Sequence, residues 1–144
     1  MADTQISKAA HRTGLLVGGL AALFLIVDGV MKLFKPEFVV KTTVDLGYSE
    51  NTIVPIGTVL LVCVILFMIP RTTVLGAILL TGYLGGAVAT HVRRGDGVFE
   101  ITFPIILGVM IWLGLYLCDS RLRSLVPLRA KARIRPLGLT MAVV

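Results

Sequence analysis

Asp28 and Lys32 stand four residues apart in an otherwise apolar run, and a histidine and two arginines close another, TGYLGGAVATHVRRGDG. A carboxylate and an amine at i and i+4 share one helix face, in the acid-before-base order that favours pairing. A histidine donates or accepts a proton near neutral pH. Glu100 adds a second carboxylate and Tyr83 a phenol. The candidate ligand-binding residues are therefore Asp28, Lys32, Tyr83, His91 and Glu100, with Thr81 beside Tyr83. Their chemistry suits a pocket that hydrogen-bonds a quinone head group or another small polar molecule, and that relays protons to it. Each has a structural reading as well. Lys32 can snorkel, Arg93 and Arg94 can anchor at an interface, His91 can cap a helix C-terminus, and Glu100 can complement a helix N-terminus. Asp28 resists such a reading most. A carboxylate inside an apolar span is costly, and it usually faces the protein interior or a watery cavity.

Several chemistries lack their residues. Cys63 and Cys118 form no C-x-x-C, which argues against a self-contained dithiol enzyme. No H-E-x-x-H or cysteine cluster is present, and His11 and His91 are expected on opposite membrane faces, so metal binding is not expected. No phosphate-binding glycine loop and no Ser-His-Asp arrangement can be assembled. No catalytic or cofactor motif emerges, so a redox role would fall to a separate soluble oxidoreductase partner.

The elements that must position these residues are membrane spans. The chain has 144 residues, of which 56% are hydrophobic and only 15% charged, with a mean hydropathy of +0.94. Four apolar runs are long enough, at about 20 residues for about 30 Å of hydrocarbon, to cross a bilayer. The expected fold is an all-α integral membrane protein, a four-helix up-down bundle in residues 13–118. Its spans are about Thr13 to Phe34, Thr52 to Ile69, Thr72 to Thr90, and Phe99 to Leu117. Pro70 and Arg71 mark the tight turn between the second and third spans, and Pro104 either sits in a first turn or kinks the fourth. Between the first two spans, KPEFVVKTTVDLGYSEN has a helix-starting Pro36 and a helix-stopping Gly47. A short amphipathic helix is expected there, from about Pro36 to Leu46, lying near the interface. The N-terminal apolar run is longer than a signal h-region and has no close A-x-A-like site, so it is expected to be retained.

In an up-down bundle the end of the first span lies level with the end of the third and the start of the fourth. Asp28, Lys32, His91 and Glu100 therefore share one side. Asp28 precedes the end of its span by six residues, about 9 Å of depth at 1.5 Å per residue. Fourteen basic residues set the orientation: nine fall on the side of both termini and five on the other. This excess places residues 1–12 and 119–144 as cytoplasmic tails. The net charge is +6, but the basic residues lie in loops and a tail without aromatic interleaving. Anionic lipid is the expected partner of RLRSLVPLRAKARIR, and nucleic acid is not. Gly14 and Gly18, and again Gly82 and Gly86, have GxxxG spacing, with Thr81, Gly85 and Ala89 in a parallel row. Packing within the bundle is the expected use, and a homo-oligomer the alternative. Trp112 is expected to pack, and Tyr116 to sit in an interfacial belt.

The segment IPRTTVLGAILLTGYLGGAVATHVRRGDG, followed by FP, LG and WLGLYLCDSRLRSLVP, resembles the DoxX-like family of small four-helix bacterial membrane proteins. The resemblance runs from the Gly29 to Leu33 region through Pro127. It implies a bacterial inner-membrane location and the four-helix fold. It also implies a link to membrane oxidoreductase systems, among them a thiosulfate:quinone oxidoreductase subunit. Cys118 stands where relatives often carry arginine. The expected function is a membrane subunit of a redox system, binding quinone or a small metabolite near Asp28 and His91. The alternative is a non-enzymatic carrier or scaffold.

Overall fold

The structure is a computed structural model that describes residues 7–120 and Leu122. The basic tail stretch beyond them and the apolar end PLGLTMAVV lie outside the described residues. Among the described residues, five α-helices follow one another: α1 (Lys8–Phe34), α2 (Glu37–Asp45), α3 (Ile53–Met68), α4 (Thr73–Arg94) and α5 (Val98–Cys118), with a 3₁₀ turn, Glu50–Thr52, leading into α3. Among the described residues, four helices are long and apolar enough to cross a membrane. They bury only a third or less of their most apolar stretches in the protein. The remainder, including Leu16, Leu20, Ile65 and Val109, points outward as large exposed apolar side chains. A surface of that kind needs lipid.

The helix ends follow from local chemistry. α1 stops where Lys35 turns left-handed at φ 50°. Its N–H still reaches the Met31 carbonyl at 3.0 Å, and Pro36 has no N–H with which to continue. A left-handed conformation costs a side-chain-bearing residue about 1–2 kcal/mol; the Lys35 amine also donates to Glu50 at 2.7 Å, tying the turn to the start of α3. α4 runs to Arg94, four residues past the expected Thr90, because Gly95 is the first residue to take the left-handed conformation, at φ 77°. α1 likewise begins at Lys8 rather than Thr13. The expected interfacial helix forms, shortened by one residue at each end, with Pro36 as its N-cap. Pro104 sits inside α5, seven residues in, where it removes the bond that the Glu100 carbonyl would otherwise accept.

The four spans form a ring. α1 packs on α3 and α5, and α4 packs on the same two, which leaves α1 and α4 diagonally opposed. Close approach along the α1–α5 seam depends on glycine. A Cβ on Gly114 would lie 2.8 Å from the Gly18 backbone and 2.9 Å from the Gly14 carbonyl. At the other end of α1, a Cβ on Gly29 would meet Leu61 at 2.8 Å. The expected in-bundle packing therefore holds for Gly14 and Gly18. It does not hold for Gly82 and Gly86, where an added Cβ meets nothing within 4 Å. The centre of the ring is closed by Ala21, Leu25, Leu60, Val64, Ala77, Leu80 and Ile111, each at most 2% exposed.

Candidate functional site

The diagonal gap between α1 and α4 widens at the α2 end into a cavity of about 440 Å³. Phe24, Leu25, Asp28 and Lys32 of α1 face Tyr83, Ala87, Thr90 and His91 of α4 across it. α5 contributes Phe103, Pro104 and Leu107, and α3 contributes Ile56. α2 closes the mouth, placing Phe38, Val39, Thr42, Thr43 and Leu46 against it. The walls are thus mostly apolar, with a few converging polar groups, the usual make-up of a small-molecule site.

Asp28 and Lys32 pair along one turn of α1. The pair is asymmetric in exposure, with the lysine side chain 16% exposed and the aspartate 37%. Gly57 of α3 makes room for the lysine stem: a Cβ there would fall 2.6 Å from the Lys32 Cβ. Tyr83 sits within electrostatic range of Asp28 and Tyr48. Tyr48 shares a hydrogen bond of 2.7 Å with Thr90, and the Thr90 hydroxyl also donates to the Gly86 carbonyl at 2.9 Å. Because that hydroxyl has one proton, Tyr48 is the donor between the two. This bond, together with an Arg93 guanidinium donating to the Leu46 carbonyl at 3.3 Å, fastens the α2 segment to α4. Phe24 and Phe103 meet edge to face at 5.1 Å on the opposite wall.

His91 is oriented by a second carboxylate. Its Nδ1 lies 2.7 Å from Asp96, whose other oxygen accepts from Arg94 Nε at 3.2 Å. An ionised carboxylate only accepts, so Nδ1 carries the proton, and in the neutral ring Nε2 keeps its lone pair. Gly95 produces this geometry. With its left-handed turn, the Gly95 and Asp96 N–H groups both return to the His91 carbonyl at 3.1 Å, and Asp96 swings back over the helix end.

Four of the five residues singled out from sequence, Asp28, Lys32, Tyr83 and His91, line this one cavity. Glu100 does not: it lies exposed in the first turn of α5, with a carboxylate oxygen close to Gly97. Thr81 is also elsewhere. It donates to the Ala77 carbonyl and accepts from Trp112 Nε1 at 2.8 Å, on the outer side of the α4–α5 contact. Sequence reasoning missed Tyr48, Thr90 and Asp96. Asp96 had a signal, since a glycine that stops a helix returns the next residue toward the last turn. Tyr48 and Thr90 are 42 positions apart, and nothing local pairs them. Among the described residues, no buried side-chain nitrogen or oxygen lacks a partner, and no three His, Cys, Asp or Glu residues are grouped to hold a metal ion.

The profile of the DoxX-like family matches residues 16–114, more than half the chain, from inside α1 to inside α5. No curated protein and no solved structure matches the chain.

Proposed function

The chain belongs to the DoxX-like family, and from that premise we propose that it is a membrane subunit of a redox system, one that holds a quinone head group or a small polar metabolite at the α2 end. The observation that carries the reading is the convergence of Asp28 and Lys32 with Tyr83 and His91 in one cavity, from helices that do not otherwise touch face to face. The residues fit such a head group. Lys32 Nζ and the Tyr83 hydroxyl are donors for a carbonyl oxygen, and Phe24 and Phe103 supply an aromatic wall. Asp28 keeps the lysine charge balanced inside the span, where an unpaired ammonium would be expensive. His91, held by Asp96 through Nδ1, presents Nε2 to take up or return a proton. α2 covers the mouth and limits water. A quinone, when bound, supplies acceptance of two electrons and two protons, and a soluble oxidoreductase partner exchanges the electrons.

In this reading the protein sits in the bacterial inner membrane with both termini cytoplasmic, and the cavity lies toward the outer face, beneath α2. The basic tail contacts anionic lipid. A carrier function is the competing reading, and the closed middle of the ring favours binding over passage. The deciding experiment is purification of the full chain from membranes, followed by organic extraction. Co-purified quinone that falls at least tenfold in Asp28→Asn and His91→Ala supports the proposal. Native protein that carries no quinone and binds none when offered it refutes the proposal. Flux of a small metabolite through liposomes holding the native chain would move the assignment to a carrier.

A further inference from the structure

We infer that the ligand of this cavity is an amphiphile with a single long apolar chain, and that the chain lies in the lipid-facing groove between α4 and α5. The inference rests on the head-group reading above and narrows it, because it selects a membrane-soluble molecule over a water-soluble metabolite. A second cavity, of about 570 Å³, runs along the outer side of the α4–α5 contact. Its walls are Gly85 and Val88 of α4 with Gly108, Val109, Trp112 and Leu113 of α5. Gly85 leaves open space where a side chain would stand, and Gly108 has only Leu84 nearby, at 3.8 Å. Pro104 belongs to the walls of both cavities, so the groove begins beside the polar cavity, with this one residue between them. From there it extends to the level of Tyr116, twelve residues of α5, or about 18 Å.

The two cavities differ in chemistry. The first gathers a carboxylate, an amine, an imidazole and phenols. In the second, the Trp112 N–H and the Thr81 hydroxyl are spent on each other and on the Ala77 carbonyl, which leaves the indole as an apolar wall. A polar site with an apolar, outward-facing groove beside it matches a molecule with a polar ring at one end and a prenyl chain at the other. One groove between two adjacent helices takes one chain.

The test uses the full chain in phospholipid nanodiscs with two probes: a naphthoquinone carrying its prenyl chain, and the same ring carrying only a methyl group. Native protein is expected to bind the prenylated ring at least tenfold more tightly. Gly85→Leu, which fills the groove, should remove that advantage and leave the methyl ring's affinity unchanged. Val109→Trp does the same from the exposed rim, should Gly85→Leu disturb folding. Asp28→Asn should weaken both probes. Equal affinity of native protein for the two rings overturns the inference while leaving the head-group reading intact. So does prenyl binding that is indifferent to both groove variants, with dimers turning to monomers instead, since the groove would then seat a second copy of the chain. Failure of both rings to bind native protein removes the head-group reading and this extension together.

Discussion

Gly14 and Gly18 on α1 have the same spacing as Gly82 and Gly86 on α4, yet the structure uses them in opposite ways. The α1 pair lies against the Gly114 backbone: an added carbon on Gly14 would fall 2.8 Å from the Gly114 carbonyl, while one on Gly18 would stand at ordinary contact distance, 3.6 Å, from the Gly114 Cα. The α4 pair meets nothing within 4 Å. Small residues permit close approach of helices in a membrane, where burial alone does not drive association; whether the approach happens depends on what stands opposite. For α1 it is another glycine in α5. For α4 it is the open outer surface of the bundle, because its inner side already meets α3 and α5. One seam is closed by the chain itself, and the other leaves a face free for something outside it. Gly57 forms a third case, in which close approach makes space for the α1 backbone at the Gly29 carbonyl, 3.0 Å from an added Cβ, and for the stem of a charged side chain as well.

The largest expected effect comes from filling the closed seam. Gly114→Val should destabilise the protein by about 3 kcal/mol or more, the upper end for overpacking, read as loss of the folded fraction in detergent titrations. A mild effect would mean that α1 and α5 can separate without loss. Gly57→Ala should cost about 1–3 kcal/mol and, by pushing the Lys32 stem aside, lower affinity for the head-group probe more than it lowers stability. Equal losses in both would reduce Gly57 to plain packing. Gly86→Leu is expected to be neutral or to stabilise by up to about 1 kcal/mol, because glycine is the poorer helix former and the new side chain enters open space. If it proved as damaging as Gly114→Val, the comparison would fail, and the outer face of α4 would have a protein neighbour.

Much of this was legible in the sequence because hydrocarbon thickness is an unforgiving ruler. Span length placed the four crossings, and alternation of direction placed Asp28, Lys32 and His91 at one end. The interfacial helix was legible from Pro36 and Gly47. What escaped depends on rotation and reach, which a pattern of apolar residues does not encode. Glu100 is at the expected level but on the outside of α5. Thr81 is on the expected helix but turned to the outer groove. Tyr48 reaches Thr90 only because the α2 segment folds over the mouth. The extra turn of α4 was hidden by the arginines, which read as a membrane exit although the backbone stays helical until Gly95.

The plug of leucine, valine and isoleucine at the centre of the ring makes the molecule electrically one-sided. None of those side chains carries a proton or passes one on, so any proton exchanged at His91 comes from and returns to the compartment beyond α2. On the proposed reading, turnover of a redox ligand there would acidify or alkalinise that compartment alone, and thereby add to or draw on the proton-motive force without any charge moving through this subunit.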